Sequence, residues 1–111
     1  MTKELVAAYS QWRDEPFPHG SERDDVDELH AELVTVDLWV ADMVIPYVEH
    51  GNRFPLLVDI AEGIEGIRHG VVALRESAQG DDRTLLDRYE QYVELLDAVF
   101  RAYRADSSSP A

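Results

Sequence analysis

The chain has 111 residues, enough for one domain with a real core, and 45% of them are hydrophobic, which excludes a disordered chain. It has no cysteine, so disulfide staples, thiolate metal sites and cysteine nucleophiles are excluded. Its 10 Lys and Arg face 23 Asp and Glu, a net charge of −13 that repels a nucleic-acid backbone and suits a basic protein partner, metal ions or plain solubility.

The first helix is expected over 2–14, where Leu5, Tyr9 and Trp12 fall at i, i+4 and i+7 and make one apolar stripe. Pro16 and Pro18 stop it. The second helix is expected from an N-cap at Ser21, with Glu22, Asp24, Asp25, Asp27 and Glu28 crowding the first turns, where the helix dipole favours carboxylates. Its stripe is Val26, Leu29, Leu33, Val36, Val40, Val44 and Tyr47, while Leu38, Trp39 and Ile45 lie off it. A helix apolar nearly all round belongs at the centre of a bundle or at a subunit interface. Pro46 is expected to kink this helix, or to end its regular part about four residues earlier.

The third helix is expected from about Pro55 to before Gly80, with the stripe Leu57, Ile60, Ile64, Ile67, Val71 and Leu74. The fourth is expected from Asp81 or Asp82 to about Asp106. Its stripe is Leu85, Tyr89, Tyr92, Leu96, Val99 and Tyr103, flanked by Leu86, Val93 and Phe100. Short loops between long helices imply antiparallel neighbours. The expectation is an all-α antiparallel bundle of three long helices plus a short N-terminal one, as a single domain over 1–106 with a frayed tail over 107–111. The chain opens on no signal-like segment, and no apolar run reaches the ~18 residues of a membrane span, so a cytoplasmic protein is expected.

Gly63, Gly66 and Gly70 lie in the third helix within about 60° of one another, at ~100° per residue. Each costs ~1 kcal/mol against alanine, and ~3 kcal/mol is a large share of a total stability of ~5–15 kcal/mol. A groove without side chains offsets this by letting a neighbouring helix approach closely. All three are therefore expected to be packing positions. The other use of such a groove is to expose backbone beside a reactive group, here His69.

Three sets of residues could carry chemistry. His69 projects opposite the core stripe of an acidic all-α chain, which resembles histidine phosphotransfer domains. The lysine and glycine that usually follow the phosphoacceptor three and four residues later are here Val72 and Ala73, leaving Arg68 and Arg75 as the nearby cations. Glu62 and Glu65 in "EGIE", then Glu94 and Asp97 in "ELLD", stand one turn apart in pairs on consecutive helices. With "VELLDAVFRAYRAD", this spacing resembles the metal-binding signature of MazG-like all-α nucleotide pyrophosphohydrolases. That resemblance implies Mg²⁺ held by the four carboxylates, drawing a water onto a nucleoside triphosphate. The Glu-x-x-His of ferritin-like di-iron bundles is absent, the nearest match being Asp27-x-x-His30.

Asp37 falls within the apolar stripe of the second helix, with His30 two turns earlier on the same side, and both are expected to be buried polar groups. A buried carboxylate must be hydrogen-bonded, paired or protonated, and Tyr89, Tyr92 and Tyr103 could supply hydroxyls. The leading expectation is a small acidic interaction or regulatory module, non-enzymatic and cofactor-free, binding a protein partner or a second copy of itself. The pyrophosphohydrolase comes second and the phosphotransfer domain third.

Overall fold

The computed structural model describes residues 1–53 and 59–108, and within them forms α1 (Lys3–Asp14), α2 (Asp24–His50), α3 (Asp59–Arg75) and α4 (Asp81–Ser107). The expected helix start at Pro55 and the core position Leu57 lie outside the described residues, as does the tail from residue 109; Ser107, expected in that tail, is helical.

Cross-helix contacts give the directions. Thr2 N–H donates to Asp106 and Trp12 reaches Tyr92, so α1 runs antiparallel to α4. Gly63 faces Val36 and Gly70 faces Leu29, so α3 runs antiparallel to α2. Arg68 meets Glu94 while Arg75 meets Asp87, so α3 is also antiparallel to α4. The result is an up-down-up-down bundle measuring 49 × 25 × 17 Å. The shortest dimension corresponds to two layers of helices about 8–10 Å apart.

The predicted stripes are the core. On α2, Val26, Leu29, Leu33, Val36, Val40 and Val44 are buried, joined by Met43; on α3, Ile60, Ile64, Ile67 and Val71; on α4, Leu85, Leu86, Tyr89, Tyr92, Val93, Leu96, Val99, Phe100 and Tyr103. Tyr47 and Leu74, expected in the stripes, are half-buried. The centre, however, is α4, which packs against all three other helices. The apolar excess of α2 does not put it there. With two layers, α2 keeps a face to solvent, and Leu38 is 56% exposed.

Two local expectations are overturned, the cap at Ser21 and an end of the regular helix about four residues ahead of Pro46. Ser21 does not cap α2. Arg23 stands at the N-cap without a side-chain cap bond, and the Ser21 hydroxyl donates to Asp82 instead, at 2.6 Å, tying the loop to α4. The Ser21 oxygen accepts from the Arg23 N–H at 3.0 Å, and the Arg23 guanidinium bonds the Ser77 hydroxyl and Asp25, which also accepts from the Val26 N–H. The helix also continues through Pro46 to His50, where Gly51 closes it at φ 70°, a left-handed conformation that glycine adopts without a Cβ penalty. The missing Pro46 N–H is offset by tertiary packing: the Tyr47 ring meets Tyr103 edge-on at 5.1 Å, and its hydroxyl donates to Asp106.

Asp106 thus clasps α1, α2 and α4 at one end of the bundle. The Tyr47 hydrogen bond holds its carboxyl below the usual value. A carboxylate with a depressed folded pKa stabilises the fold above its unfolded pKa of about 3.9, and that contribution disappears as pH falls through the lower folded value. Asp106→Asn is therefore expected to lower the melting temperature at pH 7. Wild type and variant should converge as pH falls below about 4, as acid-titration melts would show.

Candidate functional site

A concavity of mainly apolar character lies between α2 and α3. It measures about 410 Å³ and is lined by Glu32, Thr35, Val36 and Trp39 of α2 and by Asp59, Glu62, Gly63 and Gly66 of α3. Its floor follows from the glycines. A Cβ at Gly63 would stand 2.6 Å from Val36 Cγ2 and 3.8 Å from the Trp39 ring, so the missing side chain lets α2 close in. Gly70 repeats this against Leu29 Cδ1, also at 2.6 Å. Gly66 does not: nothing lies within 4 Å of its Cβ position, and the expected close crossing there is absent. The helices meet at Gly63 and Gly70, and the space beside Gly66 is left as groove.

These contacts order the alanine substitutions. Gly66→Ala is expected to stabilise by up to about 1 kcal/mol, because only helix propensity changes. Gly63→Ala is expected to destabilise, since β-branched Val36 has little rotamer freedom and overpacking costs about 1–3 kcal/mol. Gly70→Ala should fall between, as the end of Leu29 can turn aside. Thermal melts of the three variants check the order.

The four candidate metal carboxylates are divided between two faces. Glu62 lines the α2–α3 groove. Glu65, Glu94 and Asp97 converge on Arg68 instead. The guanidinium donates to both Glu94 oxygens, at 2.7 and 2.9 Å, to Asp97 at 2.9 Å and to Glu65. Arg101 adds a second cation to Asp97 at 3.1 Å. A guanidinium therefore stands where the three carboxylates meet, and they in turn raise its pKa, Glu94 most of all. Among the described residues no group of three or more His, Asp or Glu is placed to hold a metal ion. About two turns on, Arg75 bonds Asp87 at 2.8 Å and Glu90 at 2.7 Å.

His69 is exposed on α3, as its position off the stripe implies. The nearby Arg68 and Arg75 are both committed to α4 carboxylates, which leaves neither free to steady a phosphate there.

Asp37 and His30 are half-buried, not enclosed, because both lie at the edge of the α2 stripe beneath α1 and the loop that follows it. Asp37 Oδ1 accepts from the Tyr92 hydroxyl at 2.6 Å and from Trp12 Nε1–H at 2.9 Å, and the same N–H lies 3.2 Å from the Tyr92 oxygen. Burial, then the bond to Asp37, pushes the Tyr92 hydroxyl pKa well up. Among the described residues no arginine bonds Asp37; the Arg13 guanidinium lies over the Trp12 ring, 5.8 Å from its centroid. His30 Nε2 lies 2.8 Å from the Pro18 carbonyl, which can only accept, so that nitrogen carries the proton. Phe17 packs edge-on against His30 and Tyr92, at 5.5 and 4.9 Å. Tyr89, its pKa pushed up to about 12 by burial, donates to the His19 carbonyl at 2.7 Å. These polar groups are consumed in fastening α1 and its loop across α2 and α4.

Trp39, Glu32 and Asp59 become site residues only when α2 and α3 are set side by side. The trace they leave in the sequence is a tryptophan off the core stripe of an over-apolar helix. Among known protein-family models, curated proteins and solved structures, none matches this chain. No described helix is long and apolar enough to cross a membrane.

Proposed function

We propose that the protein is a small acidic helical interaction module, without catalysis of its own, that binds a protein partner along the α2–α3 groove. The observation that carries this reading is an asymmetry of charge. On the α3–α4 face the carboxylates are neutralised by Arg68, Arg75 and Arg101. At the groove, Glu32, Asp59 and Glu62 surround a half-buried tryptophan and have no ion-pair partner among the described residues. A patch with an aromatic anchor and a polar rim has the anatomy of a binding surface. The reading needs no metal or cofactor.

A photo-crosslinking amino acid at Gly66, where there is room for it, tests the site in the source cells. Discrete protein adducts are expected from position 66 and none from exposed Gln91 on α4. No adduct at 66, or the same adducts from both positions, would contradict the proposal.

A further inference from the structure

We infer that the occupant of the α2–α3 groove is a basic amphipathic α-helix of a protein partner. Its apolar face would cover Leu38 and Trp39, and its Lys or Arg side chains would reach Glu32, Asp59 and Glu62. This inference rests on the docking reading above and adds the chemistry of the partner.

The shape points to a helix. Along the groove α2 presents Glu32, Thr35, Val36 and Trp39, and α3 presents Asp59, Glu62, Gly63 and Gly66, each set at i, i+3, i+4 and i+7. Leu38, next to Trp39 in sequence, is exposed. Steps of three and four define the seam along which one helix accepts another. Helix-in-groove recognition uses such a seam, read by anchors at i, i+3, i+4 and i+7 of the partner. The wall of this seam is Trp39, and its floor at Gly63 and Gly66 has no side chain. The aliphatic stem of an arginine or lysine can lie there over the tryptophan ring, its charged end at the rim carboxylates.

The charge selects the partner. No Lys or Arg lines the groove, and its three carboxylates lack ion-pair partners among the described residues. An acidic helix would be repelled. A second copy is disfavoured for the same reason, since each chain carries −13. A basic helix meets both the seam and the rim without such a conflict, and its encounter is accelerated by the field.

The test uses the full chain and three fluorescently labelled helical peptides of about 18 residues. One presents a leucine-alanine face flanked by Lys and Arg. The second has the same composition in scrambled order, and the third has the same apolar face flanked by Glu. By fluorescence anisotropy the first peptide is expected to bind, and to bind less tightly as NaCl rises from 50 to 500 mM. The Glu32→Gln/Glu62→Gln double variant should weaken it by about tenfold, from the loss of two exposed charge contacts. A Glu4→Gln/Glu76→Gln control, with the same change in net charge, should leave it unchanged.

Absence of binding by the basic amphipathic peptide overturns the inference. So does equal binding of the scrambled peptide, which would mean non-specific attraction, or a double variant that binds as tightly as wild type. If the Glu-flanked peptide binds as well as the basic one and competes with it, the groove stands as a docking site and the basic partner falls. A sedimentation mass of two chains that reverts to one in Leu38→Lys would assign the face to self-association and overturn the inference.

Discussion

Trp12→Ala is expected to lower the unfolding free energy by about 3–5 kcal/mol, the range for removing a large buried aromatic side chain. Trp12 is 3% exposed and belongs to the core. As a helix of 12 residues, α1 is marginal alone, so its order depends on docking. Removing the ring also takes one donor from Asp37. Trp12→Phe keeps much of the volume and should cost about 1–2 kcal/mol, close to the value of one hydrogen bond to a charged group. Asp37→Asn should cost only about 1 kcal/mol, because both donors are neutral and an amide oxygen can still accept from them. A loss of about 3–5 kcal/mol would instead indicate a broken buried ion pair, which the Trp12–Asp37–Tyr92 node does not contain. Chemical denaturation of the three variants, with unchanged m-values, measures all three quantities.

Arg68→Ala is expected to destabilise by about 2–3 kcal/mol, the second largest effect. It removes charge-assisted bonds to three carboxylates and leaves them in mutual repulsion. Asp97 decides the magnitude: its side chain is 15% exposed, against more than half for Glu65 and Glu94, so water compensates it least. Salt should separate this from a packing effect. In 1 M NaCl the repulsion among Glu65, Glu94 and Asp97 is screened and the deficit should shrink. Arg68→Lys should recover part of the stability, since an ammonium cannot reproduce the two parallel bonds to Glu94. A deficit independent of salt would mean that the stem of Arg68, not its charge, holds α3 to α4.

The helices and their buried faces were legible because periodicity is a local property. Ile60, Ile64, Ile67 and Val71 are spaced by threes and fours, and no other arrangement of that segment hides all four. Which polar faces meet is not local. Glu62 and Glu65 are three residues apart and read as one pair, yet Glu62 lines the α2 groove while Glu65 turns to Arg68. The same holds for Ser21, whose hydroxyl donates to Asp82, 61 residues away in sequence, while its oxygen accepts from the Arg23 N–H just ahead of the helix. Gly66 looked equivalent to Gly63 and Gly70. The crossing of α2 over α3 touches the outer two and leaves the middle one open, which depends on the exact path of both helices. The tyrosine partner of Asp37 was within reach of the sequence, since Tyr92 stood among the three hydroxyls considered. Trp12 as second donor was not, because it belongs to a helix whose docking partner had not been placed.

The most direct test of the central claim uses the two tryptophans of the chain, Trp12 and Trp39. Their indole N–H groups give separate signals in a ¹⁵N-correlated NMR spectrum. Trp12 reports the closed node with Asp37, and Trp39 reports the groove. On titration with the basic amphipathic helix, the Trp39 signal and the amides around Gly63 and Gly66 are expected to shift in a saturable manner, while the Trp12 indole stays in place. Shifts confined to the α3–α4 face, or a Trp39 signal unmoved at saturation, would contradict the assignment of the α2–α3 groove as the docking surface.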